Sequence, residues 1–179
     1  MRIEIPFSGA RITVRDYGRA DLSSITAMWF DEVNGQYMVD PTEAFVDDWY
    51  RNALNELEDN PEGYYLTIVL NGTDRIIGSC CMFPDEKGER YDIGYCIHKN
   101  YWRQGLGTEL IALIIGWVRS HGGTEITAEV AKENVASNRL LLHYGFRVLR
   151  EATFRKHNMD VTFESYIYGL TLGDGTPAC

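Results

Sequence analysis

Two glycines in the stretch YWRQGLGTEL, Gly105 and Gly107, stand where the sequence predicts the start of a helix. Glycine is a poor helix former, so the pair indicates either a tight turn or a need for something to approach the backbone closely. The first N–H groups of a helix have no partner inside it, and the helix dipole adds a partial positive charge there. Such donors suit a phosphate or a diphosphate. The sequence has neither a G-x-x-x-x-G-K-[ST] loop nor a G-x-G-x-x-G fingerprint, so a plain capping turn is the alternative.

The predicted elements around this turn follow the order β α α β β β α β α β β. Alternating apolar residues and turn residues indicate the strands, and apolar residues at helical spacing indicate the helices. The mixed order, with a strand–helix–strand unit in the second half, predicts an α/β protein on a mixed sheet. The predicted spans are strand 11–15, a helix beginning after Asp21, a helix from Asp40 to before Pro61, strands 64–70, 75–83 and 90–98, a helix from the glycines to about Ser120, strand 125–130, a helix at about 135–144, and strands at about 146–154 and 162–170.

The second helix carries the clearest start signal in the chain. Asp40 is predicted as its cap, Pro41 as its first residue and Glu43 as the partner in a capping box. Between the first two helices lies FDEVNGQYMVD, which is too polar for regular structure and rich in groups that can face a ligand. We expect one domain over residues 1–172 and a flexible tail over residues 173–179.

Length and composition narrow the class of protein. The chain has 179 residues, of which 45% are hydrophobic, and this is enough to bury one full core. A net charge of −9 opposes binding to a nucleic-acid backbone and favours a cationic amine as substrate. The longest apolar run, Leu110 to Val118, is too short to cross a membrane, and residues 1–11 do not match a signal peptide. We therefore expect a cytoplasmic protein without a membrane or nucleic-acid partner.

The four cysteines form no metal-binding pattern. Cys80 and Cys81 are adjacent, Cys96 lies in a strand-like run, and Cys179 is the last residue of the sequence. No C-x-x-C pair or histidine spacing indicates zinc, so no metal is expected. We predict reduced thiols that pack as small apolar side chains.

The stretch YDIGYCIHKNYWRQGLGTEL, followed by AEVAKENVASNRLLLHYGF, resembles the central motifs of the GNAT superfamily of acyl-CoA-dependent N-acyltransferases. The order of elements over residues 10–172 fits that fold as well. Both stretches look most like the branch that contains the ribosomal-protein N-terminal acetyltransferases. The resemblance implies a mixed, mostly antiparallel and twisted sheet of about seven strands, flanked by about four helices and splayed where acetyl-CoA inserts.

The resemblance also implies a set of contacts with acetyl-CoA. Backbone amides of residues 103–108 would bind the diphosphate, and the strand end at 96–98 would lie along the pantetheine arm, as an added strand does. Asn134 and Ser137 match family residues that touch the pantetheine, and helix capping is the alternative for both. The implied cofactor-binding residues are Cys96, Ile97, His98, Arg103, Gln104, Gly105, Leu106, Gly107, Thr108, Asn134 and Ser137.

The implied reaction is direct attack of an amine on the thioester. An amine is protonated near neutral pH, so a base or a water relay must remove a proton before the attack. Glu129 matches the glutamate base of one ribosomal N-terminal acetyltransferase type, and strand alternation puts Thr127 and Glu129 on the face opposite the apolar residues. Asp92, near the start of its strand, is the second candidate. For each carboxylate, a solvated surface role is the alternative.

The sequence departs from the family at the expected general acid. Many members have a tyrosine four residues before the glycine of the closing G-F pair, where this chain has Leu141. Neither Tyr144 nor Tyr95 matches that motif, so the proton comes from water or from another residue. A non-catalytic acyl-CoA-binding sensor or interaction domain is therefore an alternative function, and a structural domain without a ligand is a third.

The acceptor amine is expected to approach from the side opposite acetyl-CoA. The segment FDEVNGQYMVD and the final hairpin would form the walls of its site. Both a protein or peptide N-terminus and a small-molecule amine fit this expectation, and so do a monomer and a homodimer.

Overall fold

The computed structural model of the chain describes residues 1–173, so that of the predicted tail only Gly173 lies within the described residues. Within this range the helices are α1 (Leu22–Trp29), α2 (Asp48–Asn55), α3 (Leu106–Ser120) and α4 (Val135–His143). The strands are β1 (Phe7–Ser8), β2 (Ile12–Asp16), β3 (Tyr64–Leu70), β4 (Ile76–Pro84), β5 (Arg90–Ile97), β6 (Glu125–Ala131), β7 (Arg147–Arg155) and β8 (Thr162–Thr171). Among residues 1–173, no helix is both long and apolar enough to span a membrane.

The strands form one sheet in the order β1-β2-β3-β4-β5-β6-β8-β7. Every neighbouring pair is antiparallel except β5 and β6, which run parallel. These two strands pair only where residues 90–92 face residues 125–127. Beyond that point β5 continues to pair with β4 as far as Ile97, and β6 continues to pair with β8 as far as Ala131. The predicted mixed, mostly antiparallel sheet that splays in the middle is therefore confirmed.

Helix α3 covers one face of the sheet. Leu110, Ile111, Ile114 and Val118 form a fully buried stripe, and such spacing places them on a single helical face. They belong to the same core cluster as the inward residues of the sheet and as Leu141 of α4, so α4 lies on the same side as α3. The glycine-bearing start of α3 is thereby fixed rigidly beside β5.

Helix α1 covers the opposite face. Ile25 and Met28 are buried against Tyr17, and the indole Nε1 of Trp29 donates a hydrogen bond of 2.9 Å to Ser79 Oγ on β4. The chain between α1 and α2, residues 30–47, stays on this face and is attached to the turn between β7 and β8. We call it loop 30–47.

The prediction of a helix from Pro41 is wrong in its extent. Asp47, not Asp40, caps α2, since its Oδ1 accepts a hydrogen bond of 2.7 Å from the backbone N–H of Tyr50. Asp40 is buried and accepts a hydrogen bond from the Tyr50 hydroxyl. A tertiary contact has overridden the local capping pattern, and residues 43–45 form only a 3-10 turn. The short strand β1 was not predicted and makes the sheet eight-stranded within the described residues.

The segment before α1 is attached to the sheet through the buried carboxylate of Asp21. It accepts hydrogen bonds from Arg15 Nη1 (2.6 Å) and Nη2 (2.8 Å), from the Gly18 N–H (3.0 Å) and from the Thr67 hydroxyl (2.8 Å). Desolvation alone would raise the pKa of Asp21, but these bonds outweigh it and lower the pKa. The ionised carboxylate therefore stabilises the fold.

We expect Asp21→Asn to lower the free energy of unfolding by about 2 kcal/mol near neutral pH, because an amide nitrogen leaves buried donors unpaired. Since the folded-state pKa is depressed, the stabilisation is complete above the unfolded-state value of about 3.9 and is lost as pH falls through the folded-state value. Urea denaturation at a series of pH values measures both effects. Asp74→Asn, in an exposed turn, is the control. Equal stability of the Asp21 variant and the wild type near pH 7 would contradict the prediction.

Candidate active site

The loop before α3 leaves a row of backbone donors without protein partners. Gly105 has a φ of 76° and Arg103 a φ of 59°, and these left-handed conformations turn the chain sharply into the helix. Within residues 1–173, no protein acceptor is bonded to any backbone N–H of residues 103–108. Because the dipole of a 15-residue helix adds positive potential at the same place, the loop is suited to an anion.

Arg11 binds the same loop through its carbonyl groups. Its Nη1 donates to Gln104 O at 2.6 Å and its Nη2 donates to Gly105 O at 3.1 Å. Its Nε donates to Glu109 Oε2 at 2.8 Å, which anchors the guanidinium on α3. With the carbonyls held on one side, the N–H groups point away from Arg11. The sequence analysis missed this residue, which is 93 positions from Gln104 and carries no local signal.

Glycine is favoured at positions 105 and 107 for different structural reasons. Gly105 adopts a positive φ that disfavours any residue with a Cβ atom. At Gly107 a Cβ atom would lie 3.2 Å from Leu140 Cδ2, so this glycine permits close packing of α3 against α4. The tight-turn explanation is therefore sufficient at Gly105, and helix packing is sufficient at Gly107.

The strand end at 96–98 presents only part of its backbone to the gap between β5 and β6. The His98 N–H bonds Ile77 O at 2.8 Å, so alternation along the ladder turns the backbone groups of His98 and Cys96 towards β4. Those of Ile97 face the other way, and Ile97 O accepts a hydrogen bond of 2.6 Å from Trp102 Nε1. Of the three predicted residues, Ile97 is the one whose peptide groups face the gap.

The side chains of Cys96 and His98 make local contacts. Cys96 is buried, and its Sγ accepts a hydrogen bond of 2.9 Å from Asn34 Nδ2 in loop 30–47. His98 Nδ1 accepts a hydrogen bond of 3.1 Å from the Asn100 N–H. Cys96 thus belongs to the α1 side of the sheet.

Helix α4 forms the other wall of the gap. Asn134 Oδ1 accepts a hydrogen bond of 3.2 Å from the Ser137 N–H, so the capping alternative for Asn134 is present in the structure. Ser137 Oγ lies 2.6 Å from the hydroxyl oxygen of Tyr95 on β5. Leu141, one turn further along α4, is fully buried. The hydroxyl of Tyr144 donates to Thr108 O at 2.6 Å and ties the end of α4 to the start of α3.

Both predicted carboxylates lie on the α1 side of the sheet, next to the point where β5 and β6 separate. Asp92 and Thr127 are paired across the two strands, and the Thr127 hydroxyl donates to Asp92 Oδ1 at 2.7 Å. Glu129, two residues further on the same face of β6, is exposed, and its Oε1 accepts a hydrogen bond of 2.5 Å from Ser165 Oγ. Alternation on β6 is as predicted, because Ile126, Ala128 and Val130 are buried on the other face.

The charge of Glu129 influences the neighbouring carboxylate of Asp92. Desolvation raises the pKa of Asp92, the Thr127 hydroxyl opposes this shift, and the nearby charge of Glu129 adds to it. Asp92 therefore holds a proton more readily than an isolated aspartate.

Loop 30–47 and the final hairpin contact each other on the α1 side of the sheet, the side on which Asp92 and Glu129 lie; we call these two carboxylates the acidic floor. The rings of Tyr37 and Phe163 are in edge contact, with centroids 5.8 Å apart. The buried Nζ of Lys156 donates to Gly35 O and to Asp40 O, each at 2.8 Å. The expected walls of the acceptor site thus lie against one another in the structure, although the sequence did not single out Lys156.

Residues 11–147 match the model of the acetyltransferase (GNAT) domain family. Over 141 residues the chain is 27% identical to p20 from Bacillus licheniformis, an uncharacterized N-acetyltransferase. That alignment covers 76% of this chain and 79% of the relative.

Solved structures share the fold. The ribosomal-protein-S5-alanine acetyltransferase from Vibrio fischeri is 18% identical with a TM-score of 0.72, and the match covers 97% of this chain and 100% of that chain. A Salmonella typhimurium protein solved with its cofactor acetyl-CoA is 21% identical with a TM-score of 0.68, covering 94% of this chain and 98% of that chain. At these identities the similarity establishes the fold.

We expect two substitutions to move the pKa of Asp92 in opposite directions. Glu129→Gln removes a like charge and lowers this pKa, whereas Thr127→Val removes a hydrogen bond to the carboxylate and raises it. NMR titration of the labelled aspartate carboxyl carbons measures both shifts. Glu164→Gln, on the other face of the sheet, is the control and leaves the value unchanged. If Glu129→Gln leaves the pKa of Asp92 unchanged, the charge of Glu129 does not act on Asp92. If Thr127→Val leaves it unchanged, the Thr127 hydrogen bond does not stabilise the carboxylate.

Proposed function

The chain belongs to the acetyltransferase (GNAT) domain family, and on that premise we propose that it transfers the acetyl group of acetyl-CoA to a primary amine by direct attack. It is an acetyl-CoA-dependent N-acetyltransferase by family and by its named relative. The acceptor class and the mechanism are our proposal. The acceptor is a protein N-terminus or a small-molecule amine, and general-base catalysis assists the attack.

One observation carries the cofactor assignment: the unpartnered N–H groups of residues 103–108 at the start of α3. A diphosphate fits them, because they are backbone donors at the positive end of a helix. We assign Arg103, Gln104, Gly105, Leu106, Gly107 and Thr108 to this role. Arg11 supports them from behind by holding the carbonyls.

The gap between β5 and β6 accounts for the rest of the cofactor site. Ile97 offers backbone groups on its open edge, and a pantetheine amide can pair with them once Trp102 releases the carbonyl. Asn134 and Ser137 stand on the opposite wall at the start of α4. When bound, acetyl-CoA supplies a thioester activated towards an amine.

The acidic floor supports general-base catalysis. An amine must be neutral to attack, and a carboxylate close to it can take the proton directly or through water. Glu129 is our first candidate, since the buried Ser165 holds one of its oxygens while the side chain stays exposed to an incoming amine. Asp92 is the second candidate because of its raised pKa.

A non-catalytic acyl-CoA-binding sensor is the second candidate function. The observation that favours it is Leu141, an apolar and fully buried residue where many family members place a tyrosine. Such a protein would bind coenzyme A through the same loop and would not release thiol from acetyl-CoA.

We propose the cytoplasm as the compartment. Cys80, Cys81 and Cys96 are free thiols, the state that a reducing compartment maintains. Burial raises the pKa of Cys81 and of Cys96 to about 12, so that both remain protonated and pack as small apolar side chains.

We expect the wild type to release free thiol from acetyl-CoA faster than buffer does when N-terminal peptides or small amines are supplied. Gly105→Glu is expected to abolish this activity, because a Cβ atom is strained at this positive φ and would lie 3.5 Å from Arg11 Nη2, which disturbs the loop that presents the N–H donors. A thiol-reactive dye measures turnover, and thermal shift measures binding, which at a hundredfold excess over Kd stabilises the fold by about 2.7 kcal/mol.

The control for that experiment is Gly116→Glu. Gly116 lies on the exposed side of the same helix, with open space around its Cβ position. A wild type that binds coenzyme A and yet releases no thiol with any amine would favour the sensor. A wild type without a thermal shift would refute both functions.

Glu129→Gln tests the base. We expect turnover near neutral pH to fall about 100-fold or more, with coenzyme A affinity nearly unchanged, because the amide cannot accept the amine proton. Asp92→Asn is expected to reduce turnover less than Glu129→Gln does. Steady-state kinetics measure turnover, and calorimetry measures coenzyme A affinity. Glu164→Gln removes a carboxylate outside the acidic floor and is the control. Unchanged turnover would remove Glu129 from this role.

A further inference from the structure

Tyr95 connects the two walls of the gap. It lies on β5 three residues beyond Asp92, the last residue of β5 that pairs with β6. Its side chain follows the buried Tyr91 and Ile93 on the α3 side of the sheet, and its hydroxyl oxygen lies 2.6 Å from Ser137 Oγ on α4. A phenol hydroxyl therefore stands inside the gap that we assign to the pantetheine arm.

The Tyr95 and Ser137 hydroxyls share one hydrogen bond, so one of their two protons has no protein acceptor among the described residues. Among residues 1–173, neither the Tyr95 hydroxyl nor Ser137 Oγ has a hydrogen-bond partner other than the other. When the Ser137 hydroxyl donates to the Tyr95 oxygen, the Tyr95 O–H is free to donate to a second acceptor. Ser137 itself is held in place, because its backbone N–H is bound to the Asn134 side chain.

Thioester aminolysis creates a strong acceptor. The amine nitrogen bonds to the carbonyl carbon, the carbon–sulfur bond breaks, and its electron pair remains on the sulfur. A donor aimed at this sulfur stabilises the charge as it develops, which lowers the barrier to the reaction.

We infer that Tyr95, oriented by Ser137, donates a hydrogen bond to the departing sulfur of coenzyme A. This inference rests on the proposed function, because it takes the gap as the cofactor site. The catalytic donor arises where β5 and α4 meet, and the sequence of neither element indicates it alone.

Tyr95 acts as a hydrogen-bond donor and keeps its proton. Burial raises its pKa to about 12, the Ser137 bond opposing the shift, whereas a thiol ordinarily titrates near about 8.5. The sulfur therefore departs as a thiolate and takes its proton from solvent, while the proton from the amine leaves through the base. The phenol is unchanged at the end of the cycle.

The test measures the pKa of the coenzyme A thiol in its complex with the protein. The ultraviolet absorbance of the thiolate is titrated for coenzyme A complexes, and the titration of matching desulfo-coenzyme A complexes is subtracted to remove the protein tyrosines. We expect Tyr95→Phe to raise the thiol pKa by about one unit or more, since a hydrogen bond to a charged group is of that size. We also expect kcat to fall about 10-fold while the KM for acetyl-CoA changes little.

Two further variants complete the test. Ser137→Ala leaves the phenol in place and is expected to shift the thiol pKa in the same direction by a smaller amount, so it carries the test if Tyr95→Phe does not fold. Tyr64→Phe removes a hydroxyl from a ring that packs on Trp117, away from the gap, and should leave the thiol pKa unchanged.

The outcomes separate the inference from the function on which it rests. A wild type that binds no coenzyme A refutes the proposed cofactor site. A wild type that binds it, with the same thiol pKa in Tyr95→Phe and Ser137→Ala, refutes only the role of Tyr95. A shift of similar size in Tyr64→Phe would also overturn it, because the effect would then not depend on the gap.

Discussion

Strands β5 and β6 separate after three residue pairs, and the geometry of the site depends on this separation. A buried strand is stable only where its backbone N–H and C=O groups find partners. Here β5 retains β4 and β6 retains β8, so each strand is held on its outer side while its inner edge stays open. An extended ligand that carries amides can complete both edges as an added strand does, whereas a compact ligand cannot. The sheet therefore selects for the shape of its ligand before any side chain contributes.

Arg11 determines which way the loop before α3 presents its peptide groups. A guanidinium that binds the Gln104 and Gly105 carbonyls leaves the corresponding N–H groups on the opposite side. Its second anchor on Glu109 joins the start of β2 to the first turn of α3. The donors are thus oriented before a ligand arrives, and an anion meets them with little reorganisation. The Glu109 carboxylate pairs with the charge of Arg11, so Arg11 contributes to the site by orienting the loop.

Local patterns in the sequence predicted strands β2 to β8, α3, α4 and the face on which Glu129 lies, because strand alternation and helical spacing depend on neighbouring residues. They failed where contacts between residues far apart in the sequence determine the local structure. Asp40 has the sequence context of a helix cap, yet Tyr50 draws it into the interior and Asp47 caps the helix instead. Arg11 and Lys156 act on backbone carbonyls far along the chain, and no spacing rule connects such pairs. The motifs predicted where the site lies, and the structure added Arg11 and Lys156, which hold the surrounding loops in place.

In the proposed mechanism, the carboxyl groups of Asp92 and Glu129 would act on an amine in two opposing ways. Their negative charge attracts an ammonium group, and the same charge stabilises its protonated, unreactive form. Catalysis therefore requires that one of them accept the proton once the amine is in place. The charge of Glu129 contributes to the raised pKa of Asp92, so Glu129 makes Asp92 a better proton acceptor. The loss of the Glu129 charge therefore weakens Asp92 as a base.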